Sequence, residues 1–157
     1  MTEGVKTLLI IAHAPSENTK RLLDAVVEGA RADADSSVRV ISLGAFDATP
    51  TDVIAADAII LGTPENLGYM SGALKDFFDR CYYPCLERTQ GRPYAAFVRA
   101  GNDGEGTRRG IERIVTGLRW RAVQDPLILR GEWREEFVDE CRDLGTAMAI
   151  GLDAGIF

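Results

Sequence analysis

The chain has 157 residues, 46% of them hydrophobic and 27% charged, and carries a formal net charge of -6. That length suits one domain spanning residues 1–157 with a real core, and the composition is that of a soluble globular protein. The acidic balance argues against binding to nucleic acid or an anionic membrane surface, and no apolar run approaches the roughly 18 residues that membrane insertion requires. Met1-Thr2-Glu3-Gly4 lacks the basic and long apolar regions of a secretory leader. Three cysteines, Cys81, Cys85 and Cys141, cannot all pair, and with a single histidine they make no zinc site. A reduced, cytoplasmic setting without a metal is expected.

In chain order, residues 5–12 form a nearly continuous apolar run, too short for a helix and suited to a strand covered on both faces. Leu22, Leu23, Val26, Val27 and Ala30 then mark a helix laying one face on a sheet and ending near residue 32. Residues 38–43 read as a second strand, 51–55 as a single turn and 58–63 as a third strand. Leu74, Phe77, Phe78, Cys81 and Cys85 mark a helix over 72–86 with Ser71 as N-cap, followed by a strand over 94–100. A glycine-rich connection over 101–106 leads to a helix carrying Ile111, Ile114, Val115 and Leu118 on one face. Residues 121–129 read as the fifth strand. The last helix carries Phe137, Val138, Cys141, Leu144 and Met148, with Gly151 and Gly155 loosening the tail.

Strands alternating with helices force parallel pairing through right-handed crossovers, with helices on both sheet faces. The expectation is an α/β three-layer sandwich with a five-stranded parallel sheet in the order 2-1-3-4-5. In such a sheet ligands sit beyond the carboxyl ends of the strands, where the order reverses between strands one and three. The loops after strands one, three and four therefore carry the functional question.

The first of these loops, residues 13–19, reads His13-Ala14-Pro15-Ser16-Glu17-Asn18-Thr19 and opens a helix whose first N–H groups lack internal partners. Those donors and the helix dipole attract an anion, and the small polar side chains suit a phosphomonoester. Ser16 or Asn18 acting only as a helix cap is the competing reading. The loop over 63–76 interleaves apolar groups with polar ones, as a planar ring with a polar edge requires. Tyr69 and Met70 there suit either ring packing or a local hydrophobic staple. Neither a Gly-Lys-Ser/Thr phosphate loop nor a Gly-x-Gly-x-x-Gly fingerprint occurs, which excludes the common ATPase and dehydrogenase patterns. His13 has no serine elbow or acidic partner in view for a hydrolase triad.

Ser16, Asn18 and Thr19, joined to Thr63-Pro64-Glu65 and Gly72-Ala73-Leu74-Lys75, make the chain resemble the flavodoxin-like superfamily of flavodoxins and NAD(P)H-dependent FMN reductases. Two positions depart from the pattern: Glu17 stands where glycine is usual, and Asn66 replaces an aromatic residue. The resemblance implies the flavodoxin-like fold and FMN as cofactor. Its phosphate would lie on His13, Pro15, Ser16, Asn18 and Thr19. Its ring would lie against Pro64, Glu65, Asn66, Leu67, Gly68, Tyr69 and Met70, with Gly101 and Asn102 from the third loop. NAD(P)H is the implied electron donor and a quinone, flavin or other small molecule the acceptor, with no catalytic acid or base required. Two alternatives stay open: a flavodoxin-type electron carrier without NAD(P)H activity, and a flavin-free interaction module. Reductases of this type often form homodimers, and the bulk of Phe77, Phe78, Cys81, Tyr82 and Tyr83 suits either such an interface or a core.

Overall fold

The computed structural model describes residues 4–157. Its elements in chain order are β1 (Thr7–Ala12), α1 (Glu17–Ala30), β2 (Arg39–Gly44), α2 (Pro50–Ala55), β3 (Ala58–Asn66) and β4 (Tyr69–Met70). Then follow α3 (Gly72–Cys85), β5 (Pro93–Ala100), α4 (Glu105–Gly117), β6 (Arg121–Ala122), β7 (Leu127–Arg130) and α5 (Glu136–Asp153).

The apolar runs become the centre of a parallel sheet ordered β2-β1-β3-β5, with β6 and β7 both pairing to β5. This is the expected 2-1-3-4-5 order, except that the fifth strand is broken in two. Residues 123–126, ending in Asp125-Pro126, interrupt it, because proline supplies no N–H to a ladder. Alternation along the strands feeds two cores. Leu8, Ile10 and Ile60 face α1 and α5, whereas Leu9, Ile11, Ile59 and Leu61 face α2, α3 and α4; all seven are at most 1% exposed.

Glycines set how closely the α1 and α5 layers approach. A Cβ on Gly29 would collide with the Arg142 carbonyl, and one on Gly145 with the Val26 carbonyl. The two helix backbones therefore touch where they cross. Gly151 lies inside α5 and not in a loosened tail, since the Phe157 ring packs where its Cβ would be. The helix closes with Gly155 at φ +71°, Ile156 N–H donating to Gly151 O (2.9 Å) and Gly155 N–H to Leu152 O (3.2 Å). Among the described residues no helix is long and apolar enough to cross a membrane.

Candidate functional site

β1, β3 and β5 end on the same sheet edge, so the three loops singled out by sequence converge at the point where the strand order reverses. A surface cavity of about 420 Å³, lined by residues such as Ala30, Asp33, Thr146 and Asp153, lies at the opposite edge. Among the described residues no group of His, Cys, Asp and Glu side chains is gathered to hold a metal ion.

The first loop is anchored by His13, whose N–H donates to Gly62 O (3.0 Å), and then enters α1 through Ser16. Ser16 N–H donates to Thr19 Oγ1 (3.0 Å), Thr19 N–H donates to Ser16 Oγ (3.1 Å), and the two hydroxyl oxygens lie 2.8 Å apart. This reciprocal capping box turns both hydroxyls onto the helix end, and Thr19 is buried. The capping reading of Ser16 therefore holds for this residue. Open to a ligand remain the N–H groups of Glu17 and Asn18, which have no intrahelical acceptor at the first two helical positions, and the exposed Asn18 amide. His13 Nδ1 is buried and lacks a hydrogen-bond partner among the described residues, while its ring meets Phe46 edge-on at 6.2 Å. Pro15 and Glu17 are exposed.

The second loop is a β-hairpin that the sequence did not announce. β3 runs on through Pro64 and Glu65, turns at Leu67-Gly68 and returns as β4, pairing Glu65 with Met70 and Asn66 with Tyr69. Leu67 at φ +53° and Gly68 at φ +76° form the two-residue connection that needs left-handed backbone at both positions. Thr63 pins the base, its hydroxyl donating to Pro64 O (2.8 Å) and accepting from Ser71 N–H (3.0 Å). Leu67 is fully exposed and Tyr69 38% exposed, so both are available to a ligand. Met70, 3% exposed, belongs to the core, which favours the packing reading over ring contact.

Two glycines of α4 receive this hairpin. A Cβ on Gly106 would strike the Gly68 carbonyl, and one on Gly110 would strike the Tyr69 ring. Both lie one helical turn apart on the same face, a pattern hidden in what reads as a polar, arginine-rich helix. Glu65, expected at the cofactor, has both carboxylate oxygens engaged by the third loop: Oε1 accepts from Asn102 N–H (2.9 Å) and Oε2 from Gly104 N–H (2.8 Å). Gly101 and Asn102 are exposed, and a Cβ on Gly68, Gly72 or Gly101 would meet nothing within 4 Å. Open backbone at the loops, unpaired N–H groups at a helix start and a buried, orphaned ring nitrogen together fit a cofactor with an anionic end and a planar polar end.

Arg99 and Trp133 were not expected here. The half-buried Arg99 guanidinium lies over the rings of Trp133 (5.8 Å) and Phe137 (5.1 Å) and donates to Ala100 O and Leu129 O, both at 2.9 Å. Desolvation lowers its pKa, yet arginine keeps its proton. It faces no carboxylate within ion-pair distance among the described residues. Arg21, also over Trp133 at 5.4 Å, pairs with both oxygens of Glu135 at 3.0 and 2.6 Å. The hydrogen bond from Arg21 holds the Glu135 carboxyl below its ordinary pKa. A lone arginine in the apolar run 93–100 was the available sequence signal.

The profile of the family described as NADPH-dependent FMN reductase matches residues 46–126, slightly more than half the chain. The chain belongs to the flavodoxin-like NADPH-dependent FMN reductase family. Within this family's wider fold, a flavodoxin of Aquifex aeolicus is 30% identical over 158 residues, covering 90% of this chain and 84% of the relative. A solved archaeal flavodoxin superposes with TM-score 0.78 at 21% identity, covering 93% of this chain and 98% of its own. A WrbA-like flavodoxin from Agrobacterium tumefaciens gives 0.74 at 21% identity over 95% and 98%. The family match spans the hairpin, Glu65, the third loop and α4, so the interlocked part of the site lies inside it.

Proposed function

We propose that the protein is an FMN-binding oxidoreductase that takes electrons from NAD(P)H and passes them to a quinone, free flavin or other small acceptor. The observation that carries this reading is the convergence of the three loops at the strand-order reversal, in a chain of this family. FMN, when bound, supplies the redox chemistry. The chain's residues supply the rest. Glu17 and Asn18 N–H groups and the α1 dipole would hold the phosphate, with His13 Nδ1 as a further polar contact. Leu67 and Tyr69 would supply apolar packing for the ring, and the exposed backbone at Gly68, Gly101 and Asn102 would supply polar contacts.

The buried, unpaired thiols of Cys81, Cys85 and Cys141 support a reducing, cytoplasmic setting. Exposed Tyr83 against Tyr82 on α3 supports a homodimer, which sedimentation would test. FMN titration followed by visible absorbance tests the cofactor, with saturable binding at micromolar concentration expected and none sinking the reading. NADH and NADPH oxidation with a quinone then tests the enzyme. The curated relative's description as a flavodoxin favours one second reading, an electron carrier, and electron transfer to a protein acceptor without NAD(P)H oxidation would establish it.

A further inference from the structure

We propose that Glu65 is a positioning residue, not a flavin ligand. It clamps the backbone of the third loop where that loop enters α4, fixing the loop in the geometry that receives FMN and placing a negative charge at it. This rests on the FMN reading above.

The need for such a clamp is local. The N-cap of α4 is Gly104, which has φ +70° and provides no side-chain cap of its own. A capping serine or aspartate cannot replace it, because a Cβ there would lie 2.6 Å from the Ile128 side chain and 3.1 Å from Ala100 Cβ. The left-handed backbone adds to that exclusion. The N-cap position is thus restricted to the one residue type that brings no side-chain acceptor: Asp103 Oδ1 accepts the first helical N–H, that of Glu105 (3.1 Å), while the N–H groups of Asn102 and Gly104 just ahead of the helix must find acceptors on another element.

Glu65 does this. Its two oxygens accept the Asn102 and Gly104 N–H groups at 2.9 and 2.8 Å, the short range of charge-assisted bonds. Thr107 provides a second, independent sign. It occupies the third helical position, whose side chain commonly reaches back to the N-cap N–H. Here that N–H is already held by Glu65, and Thr107 Oγ1 is fully buried without a partner among the described residues. Because Glu65 is also the last paired residue but one before the hairpin turn, the same carboxylate ties the second loop to the third. The hairpin's seat on Gly106 closes the unit from the other side.

Glu65→Gln and Glu65→Asp separate charge from reach. Glutamine keeps the length but turns an NH2 toward one of the two donors, whereas aspartate keeps the charge but is too short to span both. In the FMN-free protein, residue-resolved hydrogen exchange at Asn102 and Gly104 should quicken by about tenfold or more in both variants, with β1 amides unchanged as the control for folding. FMN should bind about tenfold more weakly to both. The ratio of affinities for reduced and oxidised FMN should shift about threefold toward the reduced form in E65Q, because removing a negative charge favours the more negative flavin. That ratio should stay at the wild-type value in E65D, and a purely structural cap would leave it unmoved in both variants. Unchanged exchange at Asn102 and Gly104 overturns the clamp, and quickened exchange with unchanged FMN affinity overturns its link to the cofactor. An unchanged ratio in E65Q overturns the role of the charge. Wild-type protein that binds no FMN would instead overturn the FMN reading and the positioning role with it, while the exchange measurement still decides whether Glu65 clamps the loop.

Discussion

The first loop and the other two solve the same problem in opposite ways. Residues 13–19 satisfy themselves locally, with Ser16 and Thr19 closing a box three residues apart at the start of α1. The hairpin and the third loop satisfy each other across nearly forty residues, through Glu65 on Asn102 and Gly104 and through two α4 glycines beneath Gly68 and Tyr69. Local satisfaction gives an anion-receptive helix end that survives damage elsewhere. Mutual satisfaction gives a shaped slot whose parts fail together.

The largest test of that difference is Gly106→Ala. Its methyl group would enter the Gly68 carbonyl, so unfolding in urea should show a loss of about 1–3 kcal/mol, accompanied by weaker FMN binding. A stability equal to wild type would mean that the hairpin is not seated as described. Ser16→Ala should cost about 1 kcal/mol, the usual loss of an N-cap, without quickening hydrogen exchange at Asn102 or Gly104. Disturbance of those distant amides would break the separation between the two solutions.

Leu67→Asn should act in the other direction. Asparagine tolerates the left-handed turn position better than leucine, so the protein should gain up to about 1 kcal/mol while binding FMN a few-fold more weakly for want of the apolar contact. Equal FMN affinity would remove Leu67 from the site.

The smallest effect concerns the thiols. Burial pushes Cys81 on α3 up to about 11 and Cys141 on α5 up to about 12, so neither should react with a thiol reagent at pH 8 in native protein. Because the folded values lie above the unfolded one, near 8.5, the folded state holds more protons in between. Their contribution to stability is therefore intact below about pH 8.5 and declines as pH rises from there toward 11 or 12. Thermal melts across that range check the sign, and faster labelling of Cys81 than Cys141 in G106A would place the damage on the hairpin side.

What was legible in the sequence follows the range of the interactions. The strands were readable because burial on both faces demands continuous apolar runs, as in residues 5–12 and 58–63. The order of strands and the edge at which the loops gather followed from chain alternation alone. The hairpin was not readable, because its turn carries Leu67 where asparagine would have advertised it. Nor was the role of Glu65, whose partners are backbone groups 37 and 39 residues away and leave no side-chain signature. Met70 looked like a ring contact because it sits in a polar stretch, but strand alternation turns it into the core. Gly106 read as part of a loop and Gly151 as looseness, yet each is a place where another group lies against a helix.

The break in the last strand bears on the molecule's behaviour in a crowded solution. A parallel sheet ends in edge strands, and a long apolar edge would invite another chain to add itself to the ladder. Here that edge is divided into a two-residue and a four-residue piece by Asp125 and the buried Pro126, and Arg121 and Arg130 bracket the pieces with exposed charge. An irregularity that first looks like a failed strand leaves too short a template for another chain to extend, and so protects this edge of the sheet from aggregation.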